Sequence, residues 1–433
     1  MTSGDAELVA ATGSGRTGRY RRLLQNREIV AIVSARTLSG LGDQVARLVL
    51  ALYVLNTAGG GPLTTALVLA VAYVPGTLGH AVLGSLADRF PRRGVMLAAD
   101  LVRAVLVGGL ALLVSFDEPL WTLLLLLLVV ELVGPPATAA RRALLADVSR
   151  GPQEFTAANG LASALDQAVQ VVGFVLGAVA IGLFTASWAL LFDAVTFVAS
   201  FVIIAVYVST RPTADEAGTS PSRMWGDMLD GARTLRRIPA VGAFVLLAWS
   251  AAGLLVATDA VALPYAGDLG ASDLVSGLLL AATPAGAAIS ALYVAQQPIR
   301  RQLIIMFPMA FGSTVPLMLT VFEPGLVLAL VLWFFAGLLQ GYIVTAMAEV
   351  VNLTSPDRRG RVVGVASAGF NAVGMLTIIG LGALAEVVTP GTAIAAAGAL
   401  GVMSLGLLYL LWPTRAVSQA MRTAYGSGDG EDG

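Results

Sequence analysis

The chain of 433 residues contains no cysteine, which excludes disulfides, thiolate catalysis and S-acylation. It contains no lysine either, so all 26 basic residues are arginines. A single histidine, His80, rules out a multi-histidine metal centre. Charge is scarce: 12% of residues carry it, about half the share of a soluble domain. The net charge of -1 creates no field that would attract nucleic acid, and none is expected as a partner. No glycine-rich loop ending in Lys-Ser/Thr is present, so the chain has no means of hydrolysing a nucleotide by that route.

What fills the chain instead is hydrocarbon. Hydrophobic residues make up 57% of it, and the mean hydropathy is +0.82. Such a composition expects lipid as solvent. Residues 1–28 are polar and arginine-rich. The apolar run that follows is too long for the core of a secretory signal, and no small-residue cleavage site precedes a polar domain. It is expected to stay in place as a span.

The arginines count the spans. They fall in seven clusters: Arg16 to Arg27, Arg89 to Arg93, Arg141 to Arg150, Arg211 to Arg237, Arg300 with Arg301, Arg358 to Arg361, and Arg415 with Arg422. A crossing needs about 20 residues, so each gap between clusters accommodates one out-and-back helical hairpin. Midway through the gaps stand turns without arginine: "NTAGGGPLT", "SFDEP", "FTAS", "GDLGASD", "FEPG" and "VVTPGT". Six gaps make twelve spans, expected at 29–55, 64–86, 94–115, 120–140, 158–183, 187–208, 241–266, 273–295, 302–321, 325–349, 362–388 and 391–412. The positive-inside rule assigns the clusters, and both termini, to the cytoplasm. The polar stretch 209–240, with a short surface helix in "MWGDMLDGARTLRRIP", divides the chain into two sets of six. The expected organisation is a tail (1–28), a first bundle (29–208), a linker (209–240), a second bundle (241–412) and a second tail (413–433).

The second set repeats the first. Sliding one onto the other lays "LADRFPRRGVML" over "VAQQPIRRQLII", so that Arg92 and Arg93 fall on Arg300 and Arg301. Asp88 and Arg89 then fall on Gln296 and Gln297. Duplicated halves produce such a recurrence, although inner loops also share arginine by topology alone.

"GSLADRFPRR" resembles the Gly-x-Leu-Ala-Asp-Arg-x-x-Arg-Arg signature of the major facilitator superfamily, in the loop between spans 2 and 3. "LSGLGDQ", "MLAADLVRA", "AANGL" and "DRRGRVVGV" resemble its drug-exporter branch, which holds macrolide-efflux and siderophore-exporter-like proteins. The resemblance implies an all-α integral membrane fold: twelve transmembrane helices in two pseudosymmetric six-helix bundles. It also implies that this loop latches the two halves on the cytoplasmic side. The residues fit that role. Gly84 lets a neighbouring helix approach. Asp88 sits at the unfavourable end of its helix dipole and needs a partner, expected at the start of span 11 around Arg361. Arg89, Arg92 and Arg93 complete the loop and also fix topology.

Ionisable groups inside the membrane default to function. Arg36, Gly40, Asp43 and Arg47 share one face of span 1. Asp43 with Arg47 reads either as a self-neutralising structural pair or as part of the site. Glu131, before the expected kink at Pro135 and Pro136, has no basic residue in its own helix and is the expected proton carrier. The resemblance implies that spans 1, 4, 7 and 10 line the cavity, so Glu131 could face Arg36 or Arg47. The arginine that family antiporters carry in span 4 is missing from the expected span. Asp166, with Gln167 and Gln170, marks span 5 and is the next candidate; Asp259 lies in span 7. Asp193 lies in span 6; Asp100 with Arg103, and His80, are expected to be structural. Gly173 and Gly177 keep part of the span-5 antiporter motif without its proline.

These features lead to a secondary active transporter in the bacterial plasma membrane. It is expected to export a small amphipathic compound (a drug, antibiotic or siderophore-like molecule) as a multidrug-resistance antiporter. The proton gradient is the driving force, with no cofactor and no metal. A small-molecule substrate and membrane lipid are the expected partners, and the chain is expected to act as a monomer. A lipid or lysolipid flippase, a metabolite carrier or a transport-inactive sensor would share the fold. A membrane enzyme is disfavoured, because the turns are too short for a catalytic loop.

Overall fold

The computed structural model describes residues 23–57, 61–78, 90–116, 118–211 and 221–425. Every regular element among them is helical. The chain runs through α1 (Arg27–Thr57), α2 (Pro62–Val71), α3 (Val74–Thr77), α4 (Arg92–Ser115), α5 (Leu120–Leu132), α6 (Gly134–Val148), α7 (Pro152–Leu183) and α8 (Ala186–Tyr207). It continues through α9 (Pro221–Arg237), α10 (Pro239–Asp268), α11 (Asp273–Ala295), α12 (Ile299–Met318), α13 (Leu326–Leu338), α14 (Tyr342–Asn352), α15 (Pro356–Leu384), α16 (Pro390–Leu410) and α17 (Thr414–Tyr425). In lipid no water satisfies a backbone amide, so apolar runs of this length close their hydrogen bonds internally as helices. Prolines stand in the first turn of α2, α7, α10, α15 and α16, where no intrahelical donor is lost.

Among the described residues, eleven helical stretches are long and apolar enough to cross a membrane. The protein is a multi-pass membrane protein. The expected second span, 64–86, begins as α2 and α3, and residues 79–89 lie outside the described residues. The fourth crossing differs from the expected 120–140. It runs over Leu120–Val148 and so takes in Arg141 and Arg142, which the arginine count had placed in a loop. Their aliphatic stems and the helical run "ATAARRALLADV" extend α6 past the expected border. The fifth helix likewise starts early, at Pro152.

Two crossings are broken near their middle. Pro135 and Pro136 cannot continue the ladder of α5, and the chain turns at Val133 before α6 resumes. The counterpart break separates α13 from α14 at Leu339–Gly341. There the Gly341 amide donates to Ser290 Oγ at 3.0 Å, and a side chain at Gly341 would collide with Ser290. Gly286 and Gly337 bring α11 and α13 to backbone contact in the same way.

α1 packs on α7 and α8, and α4 on α8. α10 packs on α15 and α16, and α11 on α13. Helices before α9 meet those after it through α7 with α11, and α2 with α10 and α15. The close contacts of these pairs cluster toward the end of the bundle away from the arginine clusters. Gly277 abuts Ala178 and Phe174, Gly382 abuts Ala66, and Glu386 accepts from the Leu63 amide at 2.9 Å. At the arginine end, α9 lies against α15, with Gly231 on the Arg361 backbone.

Candidate functional site

The 3.6-residue period places Arg36, Gly40, Asp43 and Arg47 along one stripe of α1, and that stripe lines a polar cavity of about 210 Å³ with α4, α6 and α7. Each charged residue of the stripe takes a partner from a different helix. Arg36 forks onto the Asp166 carboxylate of α7 through both Nε and Nη2. Asp43 accepts two bonds from Arg103 of α4, at 3.1 and 3.3 Å. Arg47 donates a single bond to Glu131 Oε1 at 3.2 Å, and a longer one to Gln44.

The partner of Asp43 is thus Arg103, not the expected Arg47. Residues four apart on one helix can pair, but Arg47 is drawn toward Glu131, the acid without a cation in its own helix. The expected Asp100–Arg103 association gives way as well. Asp100 is almost fully buried toward α8 and accepts from Ser200 at 2.6 Å. Arg103 reaches Asp43 of α1 instead, with its guanidinium 4.5 Å from the centroid of the Phe197 ring of α8. Asp193, also buried, holds Thr196 and sits where a side chain at Gly42 of α1 would collide. Gly173 and Gly177 let α7 close onto Gln44, Val45 and Leu48 of α1.

Glu131 lies two residues before the break between α5 and α6, at the level of Arg47. Opposite, α10 carries Asp259, whose Oδ1 is fully buried and finds no partner among the described residues. Arg47 is the cation whose charge reaches it, and Tyr73 is a neighbour. Arg47 therefore bonds a carboxylate from the first set of helices, and its charge also reaches one from the second.

The expected latch is only partly described. Gly84, Asp88 and Arg89, like His80, lie outside the described residues. Arg92 pairs with Asp147 of α6, and Arg93 donates to the Ala205 carbonyl and to Thr210. Both fasten α4 to its own neighbours and not to α15. Arg361 instead lies 3.7 Å from Asp230 of α9.

Four participants were not legible beforehand. Arg141 and Arg142 extend the cavity wall, and Glu349 is a buried acid bonded by Tyr425 of α17 at 2.9 Å. Asp230 supplies the contact to Arg361. For Arg141 the usable signal was the unbroken helical pattern through "RRALLADV". Glu349 carried none, since its donor lies 76 residues away. Among the described residues no group of acids and imidazoles could hold a metal ion.

The fold is shared with solved transporters. The nucleoside transporter NupG superposes with a TM-score of 0.69 at 13% identity, covering 89% of this chain and 99% of the other. A bacterial homologue of the human lysosomal transporter Spinster, in an inward-facing and occupied conformation, gives 0.63 at 16% identity, covering 91% and 96%. In sequence, an uncharacterized MFS-type transporter of Bacillus subtilis (strain 168), YfiS, is 24% identical over 398 residues, 88% of this chain and 92% of that one. The family model of the Major Facilitator Superfamily matches residues 32–323. A helical membrane bundle, paired charges at its centre and this match lead to one conclusion: the chain belongs to the Major Facilitator Superfamily and is a membrane transporter, not an enzyme.

Proposed function

We propose that the chain is a drug-exporter-like antiporter that moves a small amphipathic compound out of the cell in exchange for protons. In this reading residues 29–208 and 241–412 are pseudosymmetric bundles that rock about the linker, and the arginine end faces the cytoplasm. Contacts between the bundles at the opposite end then correspond to an inward-facing state. The observation that carries the reading is Arg47 bonded to Glu131 while its charge also reaches Asp259, whose buried Oδ1 has no partner among the described residues. Glu131 holds Arg47 by one bond, whereas Asp43 is held by two. A proton arriving at Glu131 breaks a single charge-assisted bond and frees Arg47 to turn to Asp259. Occupancy of Asp259 thereby becomes linked to protonation of Glu131, which is what exchange of proton for substrate requires.

The test uses proteoliposomes with an imposed pH gradient and ethidium as the amphipathic probe. Gradient-driven ethidium movement, with the opposite movement of protons read by a trapped pH dye, supports the reading. Probe movement indifferent to the gradient overturns the coupling. A second reading, a lipid or lysolipid flippase, draws support from one feature. An apolar groove of about 1060 Å³ runs between α10, α15 and α16, from Pro239 and Pro413 up to Leu384. A fluorescent lysolipid in the same vesicles separates the two.

A further inference from the structure

We propose that the chamber between α1, α6 and α7 is an oxyanion site that takes a carboxylate or phosphate group. This goes beyond the transporter reading by naming the charge class of a group held in this chamber, and it rests on that reading only for a role in transport.

Two cavities meet at one wall. The larger, about 210 Å³, reaches Thr138 and Ser39; the smaller, about 50 Å³, reaches Arg142, Asn159 and Ser163. Arg36, Arg141 and Asp166 line both. Each volume exceeds that of a single water, so polar ligands of a few heavy atoms fit. The charge around the smaller cavity does not balance. Arg36 spends its fork on Asp166, and that pair is neutral. Arg141 and Arg142 remain, and neither has a hydrogen-bond or ion-pair partner among the described residues. Arg141 Nε is wholly out of solvent contact without an acceptor.

Other elements do not supply the missing charge. Asp100 of α4 acts on Arg141 only through space, since its Oδ2 accepts from Ser200. Asp43 is held by Arg103, and Glu131 by Arg47. In the lining of the smaller cavity Arg36, Arg141 and Arg142 face Asp166, which Arg36 already holds. Deeper in, Arg103 is shared by Asp43 and Asp193 and Arg47 is held by Glu131, so those charges answer one another. An uncompensated guanidinium inside a membrane protein is costly and points to a ligand that neutralises it. The planar fork of arginine selects carboxylate and phosphate by bidentate geometry, and Asn159 and Ser163 add neutral donors. The anion has three possible sources of one chemistry: an acidic head on the transported compound, a free anion or a lipid headgroup.

The test is binding to the full chain in neutral detergent, with inorganic phosphate and acetate as probes at constant ionic strength set by chloride. Saturable binding of either, with a rise in melting temperature, is expected. The double variant Arg141→Gln, Arg142→Gln should lose roughly tenfold or more in affinity, as when a charge-assisted bond is removed. Because it deletes unpaired cations, it should melt no lower than the parent. Asp166→Asn should bind phosphate more tightly, since it unmasks Arg36. Unchanged affinity in the double variant, weaker binding in Asp166→Asn, or no saturable binding of either anion by the parent would overturn the proposal. Competition by phosphatidylglycerol but not phosphatidylcholine nanodiscs assigns the site to a lipid headgroup. Binding undisturbed by both assigns it to a soluble anion. Anion binding that persists where gradient-driven flux fails would sink the exchange reading and leave the site standing.

Discussion

Asp43 and Glu131 each face an arginine, yet their substitutions should behave differently. Glu131→Gln is expected to abolish ethidium movement driven by a pH gradient and to leave probe binding and passive exchange measurable. Full gradient-driven flux in that variant would move the carrier elsewhere, with Asp166 next. Asp43→Asn takes from Arg103, beside Phe197, the carboxylate it is bonded to, and breaking such a half-buried pair costs about 3 kcal/mol. A lowered melting temperature in detergent is the readout, and an unchanged one counts against the pairing. The stripe on α1 was legible because helical period alone puts Arg36, Asp43 and Arg47 on one side. The partners were not, because Arg103 is three residues from Asp100 and 60 from Asp43. Spacing along a helix cannot reveal that Ser200, from another helix, takes Asp100 away.

The breaks at Val133 and Leu339–Gly341 are the elements on which movement can turn. The first was written in the sequence as Gly-Pro-Pro; the second carries no proline and was not foreseen. Gln340 at the second break is 1% exposed, and neither of its amide atoms has a partner among the described residues. Gln340→Leu should therefore stabilise the fold by about 1–2 kcal/mol, read as a higher melting temperature, because a desolvated amide is removed. A destabilised variant would mean that the amide is satisfied after all. α17 is a second such element: its Tyr425 hydroxyl donates to Glu349 and accepts from Asn352. Burial, and then the bond to Glu349, push the Tyr425 hydroxyl above its ordinary value. A group raised in the folded state contributes below its unfolded value and loses the contribution as pH climbs through the folded one. The α17 contact should thus survive from neutral to mildly alkaline pH. Tyr425→Phe should loosen it already at neutral pH, seen as faster proteolysis after Arg415 or Arg422, with the difference from the parent fading at strongly alkaline pH.

Across the whole molecule, the seam between the two sets of helices relies on small residues. A side chain at Gly277 would press on Ala178 and come within 2.8 Å of the Phe174 carbonyl. Gly277→Leu is expected to wedge this end open. Since the chain has no cysteine, single cysteines report it directly. One at Asn159, exposed near the arginine end, should lose reactivity toward an impermeant maleimide while one at Leu63 gains it; unchanged labelling at both positions would refute the wedge. The hairpin count was legible because arginine placement records topology, whereas the seam was not, because glycine and alanine look alike whether they face lipid or a partner helix. The stitching of Arg36, Asp43, Arg47 and Arg103 into α5, α7 and one another has a historical consequence. A change at any of these positions must be answered in a second helix, whereas apolar positions of α10 to α16 can drift singly. Descendants of a common ancestor should therefore keep the first set of helices nearly fixed and vary the second, so that new cargo specificities arise by remodelling one half of the gene.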